Sequence, residues 1–316
     1  MPCVIIPAHN EQDVIERCLN ALTADHQPED FQIIVCCNGC SPEDKTAQIA
    51  STYPNVTVLE TEIGNKSNAM NLADQHATSF PRIYLDADCQ MTTTAAKKLI
   101  QALQSTNQPR IAGLKANINT DNTNFLVKSY YKIWLQLPFC TDNMIGSGAY
   151  AFNEAGHQRL GEFPKLLAED EYVRLIFADD ERIVVKDEVN TVYAPKSFRM
   201  LIRLRARWNR GVMQIAHLYP HIPPKEPRNY NRNLKQILKR PDNWIPFLIY
   251  CTAWGLSKLR TKWECRSNDT FENWTRDHKK RDASATQTQA EHNVEKPSPE
   301  IVITTNTETL EPSSSN

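Results

Sequence analysis

The chain has 316 residues, of which 41% are hydrophobic, and its formal net charge at pH 7 is -1. A chain of this size can bury a substantial core in one large domain or two small ones, which excludes a peptide-scale binder. Its nearly neutral charge argues against a generally basic nucleic-acid-binding protein. The nine scattered cysteines indicate reduced thiols rather than a disulfide framework.

The first hundred residues alternate between short apolar runs and helical patterns. Strands are predicted at Cys3 to Ile6, Phe31 to Cys37, Val56 to Leu59 and Ile83 to Leu85, each followed by a helix. This alternation predicts a parallel sheet with right-handed crossovers. Ligands of such sheets bind beyond the carboxyl ends of the strands, which is where Asn10, Asn38 and Asp86 fall.

Two carboxylates, Asp86 and Asp88, follow the fourth strand with one residue between them. Residues i and i+2 of an extended chain project to the same side, so these two acids can converge. At roughly 4 Å and an effective dielectric constant near 20, they would repel by about 4 kcal/mol. Mg²⁺ or Mn²⁺, which prefer oxygen ligands, would remove that repulsion. The alternative is that both acids cap the helix that follows.

The pattern after residue 104 is less regular. A long helix is predicted from Ser197 to Leu218, with Arg203, Arg207 and Arg210 on one face. Other predicted elements are a strand at 111–117, helices at 125–137, 153–160 and 167–177, and a strand at 183–185.

Trp244 to Ser257 is the most apolar stretch of the chain. Fourteen helical residues span about 21 Å, less than the roughly 30 Å of a bilayer core, so this stretch cannot cross a membrane alone. With its basic flanks, which include Lys258, Arg260 and Lys262, it suits a helix lying in a membrane interface. Packing on the core of the domain is an equal alternative.

Residues 283–316 contain no aromatic residue and predict a disordered tail.

The motifs taken together resemble those of the family 2 glycosyltransferases. Pro7 to Glu11 is similar to the opening P-x-x-N-E of that family, and Asn38 to Thr46 to its D-G-S-x-D-x-T turn. Gly64 to Asn71 resembles the segment G-K-x-x-x-x-N, Asp86-Ala87-Asp88 the metal motif, and Glu169-Asp170 the late acidic pair. Each motif is weak alone, but their common order over residues 1–220 is specific.

The resemblance implies a fold and an activity. The expected fold is α/β: a GT-A, Rossmann-like domain with a mixed, mostly parallel sheet over residues 1–220, C-terminal helices over 221–282 and a disordered tail over 283–316. The expected activity is inverting, metal-dependent transfer of a hexose from a nucleotide-diphosphate sugar to the hydroxyl of a glycan or lipid-linked glycan. Cell-surface polysaccharide or glycolipid synthesis is the expected role.

The resemblance also implies roles for individual residues. Donor binding is expected of Pro7, Asn10, Glu11, Asn38, Lys66, Asp86 and Arg207. Mg²⁺ or Mn²⁺ is expected at Asp86 and Asp88, and catalysis at Asp170, the base, with Glu169. Asn38 stands where the family usually has Asp, which weakens the expectation that the base of the donor nucleotide is uracil. Arg207-Trp208 keeps only the end of the Q-x-x-R-W of processive synthases, which argues against processive polymerisation.

Other interpretations stay open at this point. Cys37 and Cys40 lie between a strand and a helix, the setting of a thioredoxin-like redox site. A sugar nucleotidyltransferase would also place an acidic metal site beside a parallel sheet. Glu169 and Asp170 could simply open an acid-rich helix, with Asp170 and Arg174 as a surface pair. The start of the chain lacks a signal-peptide pattern, so a cytoplasmic protein is expected, with peripheral attachment to the inner face of the cell membrane as a further expectation.

Overall fold

The computed structural model of the chain describes residues 1–141, 145–222, 230–267 and 302–305. Its strands are β1 (Cys3–Ala8), β2 (Gln32–Asn38), β3 (Val56–Thr61), β4 (Arg82–Leu85), β5 (Ile111–Asn119), β6 (Ala149–Phe152), β7 (Arg182–Tyr193) and β8 (Val302–Thr305). Its helices are α1 (Ile15–Thr23), α2 (Thr46–Ala50), α3 (Lys66–His76), α4 (Thr93–Gln104), α5 (Phe125–Trp134), α6 (Pro138–Thr141), α7 (Glu154–Leu160), α8 (Glu169–Leu175), α9 (Phe198–Leu218), α10 (Tyr230–Leu238) and α11 (Trp244–Ser267).

The strands form one mixed sheet in the order β7-β5-β6-β4-β1-β2-β3-β8. Strands β4, β1, β2 and β3 are parallel neighbours, and β5 also pairs in parallel with β7. Strand β6 runs antiparallel between β4 and β5. The predicted mixed, mostly parallel α/β fold is confirmed, and the carboxyl ends of the first four strands meet at one edge.

Helices cover both faces of the parallel half. Every residue of β1 is buried, as expected of a central parallel strand. One face packs against the apolar sides of α1 and α4, through residues such as Leu19 and Leu99. The other face packs against α3, where Met70 lies in one cluster with Ile34 and Tyr84. Helices α3, α4, α5, α7 and α9 each begin where a short polar side chain accepts an amide hydrogen, as Asn65 does at α3.

Several elements differ from the sequence prediction. Strand β6 was not predicted as a strand, and β7 is much longer than residues 183–185. Strand β8 lies inside the stretch predicted to be disordered: its β-branched Val-Ile-Thr-Thr sequence pairs with the edge of β3. The rest of that predicted tail lies outside the described residues.

The C-terminal helices pack on the domain. Helix α11 runs ten residues beyond the predicted Ser257 and lies against α5 and α9. Its Tyr250 stacks on Tyr130 of α5, with ring centroids 5.2 Å apart. Among the described residues, no helix is both long and apolar enough to span a membrane.

Candidate active site at the carboxyl edge of the sheet

The first part of the site joins the ends of β1 and β2. Asn38 is 3% exposed, and its side-chain amide donates to the carbonyl of Ala8 at 2.7 Å. The Nδ1 atom of His9 lies 2.6 Å from the carbonyl of Asn38. Asn10 has a φ of 56° and accepts a hydrogen bond from the Ser41 amide through its Oδ1 at 2.8 Å. These bonds hold the two loops together, so the Asn38 side chain has a structural role that the sequence did not reveal.

Two glycines bring a third loop to the same place. Gly39 has a φ of 54°, and a Cβ atom on it would lie 2.5 Å from the Cα atom of Gly64. Only glycine permits this approach of the loop after β2 to the loop before α3. The approach places Lys66, the first residue of α3, at the carboxyl edge of the sheet.

Lys66 connects the two acidic motifs. Its Nζ atom lies 2.5 Å from Asp86 Oδ1 and 2.5 Å from Glu169 Oε1. Burial acts to lower the pKa of Lys66, but the charges of Asp86 and Glu169 outweigh it and hold this pKa well above its usual value. Lys66 is therefore a fixed positive charge between Asp86 and Glu169.

Asp86 and Asp88 converge at the end of β4, as their spacing predicts. Their carboxylate oxygens and the Cys89 thiol all lie within 4.8 Å of one another. Loss of hydration and the charge of Asp86 raise the pKa of Asp88. Such clustered carboxylate oxygens suit a divalent cation, and Asp86 already binds a cationic group, the Lys66 ammonium. Burial raises the pKa of the Cys89 thiol, which therefore stays protonated and is a poor ligand.

The backbone around Asp88 is held by residues that the sequence did not single out. Arg17 of α1 donates to the carbonyl of Asp88 at 3.1 Å, and its guanidinium lies 3.5 Å from the ring centroid of Tyr193. Tyr193 in turn donates a hydrogen bond to Gln90. Arg17 and Tyr193 are 176 positions apart, and no local pattern relates them.

Three consecutive acids at the start of α8 have three different environments. Glu169 pairs with Lys66, and Glu171 forms two hydrogen bonds of 3.0 Å with the buried Arg174. Asp170 has no ion pair among the described residues. The proposed surface pair of Asp170 and Arg174 is therefore wrong, because Arg174 is buried with Glu171.

Asp170 has the electrostatic character of a base. Burial, and next the negative charge of Glu169, raise its pKa to about 7. Its Oδ1 accepts a hydrogen bond from the Glu171 amide at 2.8 Å. Its Oδ2 would lie 3.1 Å from a Cβ atom on Gly146, a glycine with a φ of 99°. A carboxyl group with a pKa near neutral can accept a proton at physiological pH.

Comparison with known proteins agrees with this geometry. The family model described as glycosyl transferase family 2 matches residues 3–166. The chain belongs to this family. Among curated proteins, Glycosyltransferase AglE of Haloferax volcanii is 27% identical over 114 residues, which are 35% of this chain and 38% of that protein. The chain therefore matches well under two thirds of the length of this relative.

A solved structure shows the same fold. Mannosyltransferase PcManGT from Pyrobaculum calidifontis, in complex with GDP-Man and Mn²⁺, has a TM-score of 0.55 and 19% identity, and the match covers 87% of this chain and 83% of that chain. The GT-A fold expected from the sequence is confirmed. Family membership supersedes the thioredoxin-like and nucleotidyltransferase interpretations. The Cys37 thiol does lower the pKa of Cys40, to about 7, through a hydrogen bond, but this pair lies inside a family 2 domain.

The remaining predicted site residues of this family 2 domain lie as follows. Pro7 is buried in β1 opposite Cys36. The amide of Glu11 donates to Thr46 Oγ1 at 2.9 Å, so Glu11 lies at the same edge. Arg207 is exposed on α9 and makes no hydrogen bond or ion pair with the other described residues. It lies one turn before Gly211, where α9 contacts Ala168, and its role in donor binding stays a prediction.

Proposed function

We propose that this family 2 protein is an inverting glycosyltransferase that moves a hexosyl group from a nucleotide-diphosphate sugar to an acceptor hydroxyl. The observation that carries the proposal is Asp170: an unpaired carboxyl group with a raised pKa, beside the edge that holds Asp86, Asp88 and Lys66. A base for the acceptor hydroxyl and a cation that neutralises the leaving diphosphate are the two requirements of this reaction.

The donor would bind along the carboxyl edge. The loops around Pro7, Asn10, Glu11 and Asn38 would hold the nucleotide. Lys66 would hold the diphosphate oxygens electrostatically. Asp86 and Asp88 would hold Mg²⁺ or Mn²⁺, which supplies charge neutralisation to the leaving diphosphate. Arg207 would contribute only if the bound diphosphate reached the exposed side of α9.

The transfer would proceed in a single displacement. Asp170 accepts the proton of the acceptor hydroxyl as its oxygen forms a bond to the anomeric carbon. The bond between that carbon and the diphosphate oxygen breaks, and the diphosphate leaves with the bonding electrons. Glu169 remains paired with Lys66, and its charge adds to burial in raising the pKa of Asp170. Attack opposite the leaving group inverts the anomeric centre.

The acceptor belongs to the same proposal. We assign it to glycans or lipid-linked glycans of cell-surface polysaccharide or glycolipid synthesis. Peripheral attachment to the inner face of the cell membrane would bring the enzyme to such acceptors. The outer surface of α11 supports this attachment.

Asp170→Asn tests the proposal. It preserves shape and removes basicity, so transfer should fall by about 10² to 10⁴ while donor affinity changes little. A panel of nucleotide sugars with Mn²⁺ identifies the donor, and nuclear magnetic resonance of the product identifies the anomer. Asp180→Asn, which changes an exposed acid outside the site, is the matched control. Parental transfer by the Asp170 variant, or a retained anomeric configuration, would exclude this mechanism.

A further inference from the structure

Four of the helices between residues 125 and 267 are strongly basic. Helices α5, α9, α10 and α11 carry thirteen lysine and arginine residues and one acid, Glu264, in a chain whose net charge is -1. The Glu264 side chain is 15% exposed and pairs with Arg260 at 2.7 Å and with Arg210 at 3.4 Å. No acidic side chain of α11 therefore opposes the approach of an anionic surface.

Helix α11 buries small and polar side chains. Ala253, Ser257 and Thr261 face the domain and are at most 3% exposed. The side-chain amide of Asn209 on α9 lies 3.4 Å from Ser257 Oγ and 3.5 Å from Thr261 Oγ1. In the second half of α11 the side that faces the protein is thus less hydrophobic than the outer side, whereas in the first half Phe247 and Tyr250 pack against the domain.

The opposite side of α11 is apolar and exposed. An outer row is formed by residues with helical spacing that are each 41% to 67% exposed: Ile245, Leu248, Leu256, Leu259 and Trp263. Burying one such side chain fully is worth about 1.5–3 kcal/mol. A row of apolar side chains on a solvent-exposed surface indicates an interaction site.

Basic side chains lie beside the outer row. Lys258, Lys262 and Arg266 follow one another at spacings of four and are all exposed. Beyond Ile245, at the other end of the row, a groove of about 340 Å³ separates α11 from α5, and Phe125, Lys128 and Lys132 line it. Apolar and basic groups are therefore neighbours on the outer side of α11, whereas in the groove Lys132 is paired with Asp242 at 2.8 Å.

The chemistry of the surface selects its partner. A second copy of the chain would bring like charges together, and a nucleic acid would satisfy the lysines but leave leucine and tryptophan against phosphate. An anionic bilayer satisfies both groups, because its acyl boundary accepts apolar side chains and its phosphates accept lysine. We propose that the outer row is a membrane-binding face that lies in the interface of an anionic bilayer, with the neighbouring lysines on the lipid phosphates.

This face is connected to the acidic site through packed residues. Thr261 of α11 contacts Asn209 of α9, and Gly211 of α9 packs against Ala168, which precedes α8. The helix with Asp170 is thus held by the same helix that supports the membrane-binding face. For the acceptor this argument rests on the proposed function, whereas membrane binding itself can be measured without transfer.

Sedimentation of the full chain with vesicles tests the proposal. Binding is compared between vesicles of phosphatidylcholine alone and vesicles that also contain 30% phosphatidylglycerol. Parental protein should bind the anionic vesicles and release them in high salt. Leu248→Gln with Leu259→Gln should weaken binding at least about tenfold. Lys258→Gln with Lys262→Gln should weaken it about 30-fold, since both charges meet the anionic surface. Arg260 is left unchanged because it pairs with Glu264.

Matched controls separate this face from general effects. Met213→Gln with Val189→Gln replaces exposed apolar residues elsewhere, and Lys115→Gln with Lys186→Gln removes the same charge from the sheet. Both should bind as the parent does. Quenching of parental tryptophan fluorescence by brominated lipids tests the face without any variant.

Three outcomes would overturn the proposal. They are equal vesicle binding by the parent and both face variants, absence of quenching in the parent, and a parental dimer that the Leu248 and Leu259 changes dissociate. Hydrolysis of nucleotide sugar with Mn²⁺, measured in parallel, reports on the proposed function. Failure of one assay can therefore be distinguished from failure of the other.

Discussion

Charged side chains have different surroundings at the carboxyl edge of the sheet and on the outer side of α11. At the edge they are acidic, partly buried and connected through one lysine, Lys66. On α11 they are basic, exposed and adjacent to leucine and tryptophan. The near-zero net charge of the chain conceals both regions, because it averages them. Charge is therefore informative for each element separately: the acidic edge suits the proposed chemistry, and the basic and apolar side of α11 suits the proposed attachment.

The largest effect is expected from Asp88→Asn. Removing one of two converging carboxylates should lower Mn²⁺ affinity, measured by calorimetry, and reduce transfer by about 10² or more, since a bound metal supplies several kcal/mol of charge stabilisation. Vesicle binding should not change, because it depends on the other region. Full parental activity in excess EDTA would contradict the assignment of a metal to Asp86 and Asp88.

The junction between the two regions is tested by Gly211→Ala. A Cβ atom there would lie 2.5 Å from the Cβ of Ala168, so the free energy of unfolding should fall by about 1–3 kcal/mol and transfer should weaken as α8 shifts. Gly255→Ala on α11 is the control, because its Cβ meets no atom within 4 Å. It should be neutral or stabilising by up to about 1 kcal/mol. Equal effects of the two changes in denaturant titrations would disprove close packing at Gly211.

The pH profile tests which acid is the base. Asp170 must be ionised to accept a proton, so kcat/KM should fall about tenfold per pH unit below its pKa of about 7. The charge of Glu169 raises this pKa, so Glu169→Gln should move the acid limb to lower pH. Lys66 lowers the pKa, so Lys66→Gln should move the limb to higher pH. If the acid limb stayed in place in both variants, or moved in the same direction in both, Asp170 would not be the titrating group.

A further test concerns stability. The pKa of Asp170 is about 7 in the folded protein and about 3.9 when unfolded, so the parent loses stability as pH rises between these values. Asp170→Asn does not titrate and escapes this loss. The melting temperature of the variant relative to the parent should therefore be higher at pH 8 than at pH 4. A constant difference at both pH values would contradict the raised pKa.

The local sequence pattern alone determined the parallel half of the sheet and the position of the two metal-motif acids. Four apolar runs with helices between them predicted the parallel half of the sheet, because strand and helix periodicities are properties of neighbouring residues. The spacing of Asp86 and Asp88 predicted their convergence for the same reason. The order of the motifs along the chain also predicted the family.

Only the tertiary structure decided which charges are paired. Glu169, Asp170 and Glu171 are adjacent and look alike in sequence, yet one contacts Lys66, one binds Arg174 and one is left unpaired. The partner Lys66 is about a hundred residues from Glu169, and loop approaches such as that of Gly39 and Gly64 place it there. The outward orientation of the apolar row on α11 was also undetermined, because a helix that is apolar on several sides has no preferred inner face until its neighbours pack. In α11 the polar contacts of Asn209 and Glu264 fix which side faces the domain, so the apolar row faces outward.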